Sequence, residues 1–197
     1  YHISQVSSKK TVSIIRKAKL EGKKFTAGVS INNLSLNEND IGDFRTFLKL
    51  SPPLRTESDR LSLIEGVNDG SIDVIVSDHK PEDEESKRLT FAQAATGAAG
   101  VETLLPLSLE LFHNQSIKIQ KLIATMTSNP AKILGIKKGS LDIGNEADLC
   151  VLDIDKPWVV KQKELKSKSK NTPIENRKLQ GQILKTFVKG NIAFNRV

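Results

Sequence analysis

Cysteine is all but missing from these 197 residues: Cys150 stands alone, which excludes a disulfide framework and any cysteine-cluster metal site. It lies in the apolar run Ala147-Asp148-Leu149-Cys150-Val151-Leu152, where the expected role is that of a small buried residue. Aromatic residues are also scarce, at 5% of the chain. No uninterrupted apolar run approaches the roughly 20 residues that a membrane helix needs, so no membrane span is expected. Glycine-rich phosphate loops are absent as well. Neither a G-x-G-x-x-G nor a Walker pattern occurs, and nucleotide binding has no support. The opening Tyr1-His2-Ile3-Ser4 has neither an initiator Met nor a charged-then-apolar leader, so no targeting signal is read and a chain whose beginning is missing is expected.

What is present is globular in composition, 38% hydrophobic and 27% charged, enough for one sizeable core. Thirty Lys and Arg against 23 Asp and Glu leave a net charge of +7. Much of the excess lies late in the chain, at Lys161, Lys163, Lys166, Lys168, Lys170, Arg177, Lys178 and Lys185, opposed by Glu164 and Glu175. Readers of single-stranded nucleic acid interleave such charge with stacking aromatics, and this stretch offers only Trp158 and Phe187. The pattern reads as a solvated face or a docking surface for an acidic partner, with no nucleic acid.

The first two-thirds alternate short apolar runs with helical patterns, the signature of βα units on a parallel sheet. Residues 1–6, 25–29, 46–50 and 72–76 read as four strands. Ser7 or Ser8 caps a helix carrying Val12, Ile14, Ile15 and Ala18 and closed by Gly22. Further helices are expected over 60–67, 101–112 and 117–127, with a short one from Asn129-Pro130 to Gly135. From about Lys138 the texture changes to strands, with 147–154 followed by a hairpin of 183–188 and 192–194 across Lys189-Gly190-Asn191. This gives a partial (β/α) body over 1–137 and a small β unit over 138–197.

Chemistry-bearing residues fall where the expected strands end: Ser4-Gln5, Asn32-Asn33, Ser51 and Ser77-Asp78-His79. In a (β/α)8 barrel those C-terminal ends are where active sites form. Asp78-His79 stands out, because a carboxylate there can bind a metal and shuttle a proton. The competing reading has Asp78 capping the next turn and His79 in solvent.

The chain resembles the C-terminal half of a class I dihydroorotase, a cyclic amidohydrolase. The matching segments include Tyr1-His2-Ile3-Ser4-Gln5-Val6-Ser7, Ser51-Pro52-Pro53-Leu54-Arg55-Thr56, 72–79, Gly100-Val101-Glu102-Thr103, 128–135, Glu146-Ala147-Asp148-Leu149 and Ser169-Lys170-Asn171-Thr172-Pro173. The resemblance implies an α/β fold, the second half of a (β/α)8 TIM-type barrel (strands five to eight), plus a small β-sandwich-like C-terminal unit. It also implies that the first four barrel strands are not in this chain, so that alone it would expose an open half-barrel. The implied activity is zinc-dependent hydrolysis of dihydroorotate to N-carbamoyl-L-aspartate in pyrimidine biosynthesis, in the cytoplasm and as an oligomer. Asp78 matches the position that ligates metal and carries the proton, and Ser51 and Gly97 match substrate-binding positions.

Departures from the family's pattern surround Asp78. A ligating His is replaced by Gln5, a His-His pair by Asn32-Asn33, a substrate-binding Asn by Ser51 and a substrate-binding His by Glu82. Carboxamide oxygens are poor zinc ligands beside imidazole nitrogen. Losing two His ligands from a site worth roughly 10–16 kcal/mol should remove several kcal/mol of metal binding. Two readings follow: an active dihydroorotase, or an inactive dihydroorotase-like subunit that assembles with aspartate transcarbamoylase, with Lys161 to Lys170 as one docking surface. A hydantoinase-like enzyme is a third, disfavoured by Arg55 and by Lys170-Asn171-Thr172-Pro173. All of them require Gln5, Asn32 and Asp78 to converge at one rim.

Overall fold

Three β-branched or small apolar runs build the sheet at the centre of the body. A computed structural model of the chain describes residues 1–196, so the last residue of the expected 138–197 unit lies outside the described residues. β1 (His2–Ile3) pairs in parallel with β2 (Thr26–Ser30), with Ile3 opposite Ala27. Ser8 caps the intervening α1 (Lys9–Leu20) by accepting from the Thr11 amide at 3.3 Å, and Val12 and Ile15 face the sheet side. Lys17 and Lys19 in its last turn complement the helix dipole.

β2 is buried nearly throughout, and Ser30 at its end caps the short α2 (Ile31–Ser35). Residues 46–50 do not form the expected strand. Thr46–Leu48 is a 3₁₀ turn, following another at Glu38–Ile41. The turn is closed by its own bonds, the Leu48 amide to the Arg45 carbonyl and the Lys49 amide to the Thr46 carbonyl, each at 3.0 Å, and the Lys87 ammonium caps the Thr46 and Lys49 carbonyls where a strand would pair. α3 (Glu57–Asp69) starts at Thr56, which accepts from the Asp59 amide, and stops at Gly70 in the left-handed conformation. β3 (Val74–Val76) then adds in parallel to β2, Gly28 opposite Val74 and Ser30 opposite Val76. Among the described residues the sheet order is β1-β2-β3, three strands where four were expected.

α4 (Glu84–Arg88), α5 (Leu104–His113), α6 (Ile119–Met126) and α7 (Ser128–Leu134) complete the body. One apolar core joins Val29, Ile31, Leu34, Leu63, Val67, Leu107, Leu109 and Leu122, each at most 1% exposed. Burying each of these side chains is worth roughly 1.5–3 kcal/mol.

The last third is a single antiparallel sheet of β4 (Leu149–Val159), β5 (Lys178–Val188) and β6 (Asn191–Asn195). The expected sandwich-like unit is therefore one three-stranded sheet. It joins the body through Leu179 of β5 and through Val160, Leu165 and Ile174 in the connection, all part of the same core. Gly181, at φ +102°, lets β5 pass against Leu109 of α5, where any Cβ would overlap that side chain. The Arg177 guanidinium meets Glu110 of α5 at 3.0 Å. β4 runs five residues past its expected end at Ile154. Its irregular register there coincides with the Asp153 carboxylate accepting from the amides of Asp155 (3.1 Å) and Lys156 (3.0 Å). Cys150 is exposed rather than buried, opposite Thr186 at the end of the sheet that stands clear of the body. β6 is exposed along its whole length.

Candidate active site

Parallel strands share a direction, so the residues that follow β1, β2 and β3 gather at one edge of the sheet. Gln5 follows β1, and its Val6 amide still bonds to Gly28 of β2 at 2.8 Å. Asp78 follows β3. The Gln5 Nε2 donates to Asp78 Oδ1 at 2.6 Å, a partly buried bond that spans the sheet. A contact this short fixes which end of the carboxamide faces Asp78: an N–H is attracted to a carboxylate oxygen, whereas a carbonyl oxygen would be repelled.

Asp78 has φ +48°, a left-handed conformation that costs a non-glycine residue about 1–2 kcal/mol. Strain of this kind clusters at functional sites. The turn sends the chain into His79, whose Nδ1 accepts from the amides of Gly100 (3.1 Å) and Val101 (3.3 Å). Nδ1 is therefore unprotonated in this arrangement. Of the capping alternative, the Asp78 half does not describe this geometry, since Asp78 accepts from Gln5, whereas His79 is exposed as that reading has it, with Nδ1 facing the loop before α5.

Asn32 and Asn33 lie at the same edge, on α2, and both are buried. Asn33 Nδ2 donates to the Pro53 carbonyl at 3.1 Å. The Asn32 Nδ2 and the Asn33 Oδ1 are enclosed without a hydrogen-bond partner. Asn32 thus shares the edge with Gln5 and Asp78 without bonding to either.

The two expected substrate-binding residues sit on neighbouring segments. Ser51 is exposed and precedes a cis bond to Pro52. Gly97 is buried at φ +143°, and an added Cβ would lie 2.5 Å from the Lys80 carbonyl. Its amide donates to Lys49 O at 3.0 Å, and its carbonyl accepts from Asn171 Nδ2 at 3.1 Å. Arg55 Nε donates to Ser7 Oγ at 2.9 Å, which ties the Pro-Pro-Leu-Arg stretch to the end of β1.

Two supporting residues were not singled out from sequence. Lys87 is 2% exposed, with Nζ donating to the carbonyls of Ala95 (2.7 Å), Thr46 (3.0 Å) and, at longer range, Lys49 (3.5 Å). Desolvation lowers its pKa to about 8, against the opposing pull of Glu82. One lysine in the charged run Glu84-Glu85-Ser86-Lys87-Arg88 carries no sign of burial. Asn171 clamps the site from the other side, accepting from the Glu82 amide at 3.2 Å while it holds Gly97. Its only sequence signal was the matching Lys170-Asn171-Thr172-Pro173 segment. The basic stretch itself folds back on the body: Glu102 accepts from the amides of Lys166 and Ser167, and Lys170 Nζ donates to Leu165 and Ser167 carbonyls. Lys161, Lys163, Lys166 and Lys168 remain exposed.

A β/α body with a strained aspartate at the carboxyl edge of its sheet fits one class of hydrolase. The chain belongs to the amidohydrolase family, whose profile matches residues 7–193. Over its full length it is 44% identical to a dihydroorotase of Ehrlichia canis, covering 44% of that protein. A dihydroorotase of Acetivibrio thermocellus is 41% identical over 97% of the chain and 45% of its own length. Among solved structures, an L-hydantoinase (dihydropyrimidinase) from Arthrobacter aurescens superposes with a TM-score of 0.93 at 29% identity, covering 98% of the chain and 44% of that protein. The chain thus spans under half the length of the relatives it matches.

Members of this family usually bind a metal. Among the described residues no group of three or more His, Cys, Asp or Glu could hold one. Asp78 is a suitable donor. Gln5 presents an N–H to Asp78 and so is not; Asn33 is engaged with Pro53 through its nitrogen, and the oxygen it keeps is, like that of Asn32, a weak neutral donor beside imidazole. No helix of the described residues is long and apolar enough to cross a membrane.

Proposed function

We propose that the chain forms the C-terminal part of a dihydroorotase-type cyclic amidohydrolase, which opens dihydroorotate with water to give N-carbamoyl-L-aspartate. The observation that carries this reading is the placement of Asp78 in a left-handed turn after β3, with one carboxylate oxygen held by Gln5. With Oδ1 so engaged, Oδ2 is the oxygen left to take a proton from water and return it to the leaving ring nitrogen. Asp78 is also the residue of this chain best suited to the zinc that the family resemblance implies.

Ser51 and Gly97 bracket the same region and are assigned to substrate. Ser51 offers an exposed hydroxyl. Gly97, with both backbone groups engaged, shapes the wall rather than donating to the ligand. The relatives cited are named dihydroorotase at 41–44% identity, against 29% for the hydantoinase. No observation among the described residues favours the alternative of a subunit that assembles aspartate transcarbamoylase.

The test is substrate choice by the full-length protein. Dihydroorotate and an unsubstituted hydantoin are offered separately, and ring opening is followed by chromatography. Preferential opening of dihydroorotate is expected. Preference for the hydantoin, or no opening of either ring, would overturn the assignment.

A further inference from the structure

The retained aspartate and the replaced histidines raise the question of what the carboxamides do at this edge. Zinc takes nitrogen from imidazole, sulfur from thiolate and oxygen from carboxylate. An amide nitrogen has no lone pair to offer it, and an amide oxygen is a weak neutral donor. Gln5 turns its nitrogen toward Asp78, so its oxygen points away from that carboxylate. A cation bridging residues 5 and 78 would have to lie where that hydrogen bond now runs.

The two asparagines differ from Gln5. Asn33 uses its N–H to hold the Pro53 carbonyl, beside the Pro52-Pro53 turn that follows Ser51, and leaves its buried oxygen without a partner, while Asn32 encloses an N–H that has no acceptor. Neither engages Asp78, so Gln5 is the carboxamide that bears on it.

Resting on the dihydroorotase-type reading of the site, we infer that Gln5 binds no divalent metal and is a positioning residue, holding Asp78 by a direct hydrogen bond where a cation would otherwise anchor it. Glutamine suits the task because it is neutral, reaches across the sheet and donates to a carboxylate with no proton to lose. Whatever metal the whole protein carries is then held by Asp78 together with groups other than Gln5.

The experiment compares zinc in the full-length wild-type protein and in a Gln5→Met variant, both purified from zinc-supplemented medium. Zinc per chain is counted by plasma mass spectrometry, and the stripped proteins are titrated with zinc calorimetrically. Circular dichroism checks the fold, and Gln5→Leu is read the same way should Gln5→Met unfold. The inference predicts the same number of zinc ions per chain in variant and wild type, with affinity weakened by about 10–100-fold once the bond that positions Asp78 is lost. A loss of one zinc per chain, or an affinity equal to that of the wild type, would overturn it. Dihydroorotate turnover is measured in parallel. A wild type without turnover whose zinc comparison is as predicted removes the proposed activity and leaves this inference standing, whereas a turning-over protein that loses a zinc in the variant removes the inference alone.

Discussion

The Asn171 side chain reaches from the connection before β5 to the Gly97 carbonyl at 3.1 Å and takes the Glu82 amide at 3.2 Å on its other end. One buried carboxamide thereby joins the connection before β5 to two points of the segment that follows the Asp78-His79 turn.

Asn171→Leu keeps the volume and removes both bonds. Because it leaves the Gly97 carbonyl and the Glu82 amide without partners, it should cost about 1–3 kcal/mol. Urea unfolding should show a lower midpoint at unchanged slope, and amide exchange at Glu82 should accelerate. An unshifted midpoint would show that the clamp is incidental.

Gly97→Ala combines a backbone conformation that side chains avoid with a Cβ 2.5 Å from the Lys80 carbonyl. A loss of about 2–4 kcal/mol is expected, since the strained turn and the steric clash add. Because the contact is backbone rather than a flexible side-chain tip, no rotamer change relieves it. A variant as stable as wild type by urea unfolding would contradict this account of the loop.

Lys87 makes stability depend on pH in a stated direction. Burial lowers its pKa from 10.5 to about 8 in the folded chain. Between those values the unfolded state holds the proton and the native state does not, so stability rises with pH across that window. Below about pH 8 the full cost of the buried ammonium is present. Lys87→Met lacks this dependence, so wild-type stability should gain on the variant by on the order of 2–3 kcal/mol as pH climbs toward 10.5. Parallel pH profiles of the urea midpoints would refute the assignment.

Much of the body was legible because local chemistry and tertiary structure agree there. Ser8, Thr56, Gly70 and Gly135 mark helix ends by hydrogen bonding and left-handed geometry that any context would favour. The run 72–76 contains a strand because its β-branched residues are buried between layers. Thr46–Leu48 was misread as a strand because a short apolar run does not tell a strand from a turn: its backbone closes on itself in i→i+3 bonds, and its Thr46 carbonyl is also met by Lys87, 41 residues away in sequence. Cys150 was misread because an apolar run says that a strand forms, not which part of it reaches the body. The site followed the same rule. The strand-end residues Gln5, Asn32 and Asp78 could be read from sequence. The Gln5–Asp78 bond depends on strand order, and the Lys87 and Asn171 supports depend on long-range folding that no local pattern encodes.

The central claim is that Asp78 moves the proton, and the most direct measurement is the rate of dihydroorotate ring opening by the full-length protein against Asp78→Asn. Asparagine preserves size and can still meet Gln5, so the fold should persist by circular dichroism while turnover falls by about 10²–10⁴-fold. A well-folded Asp78→Asn variant that opens the ring at the wild-type rate would contradict the account.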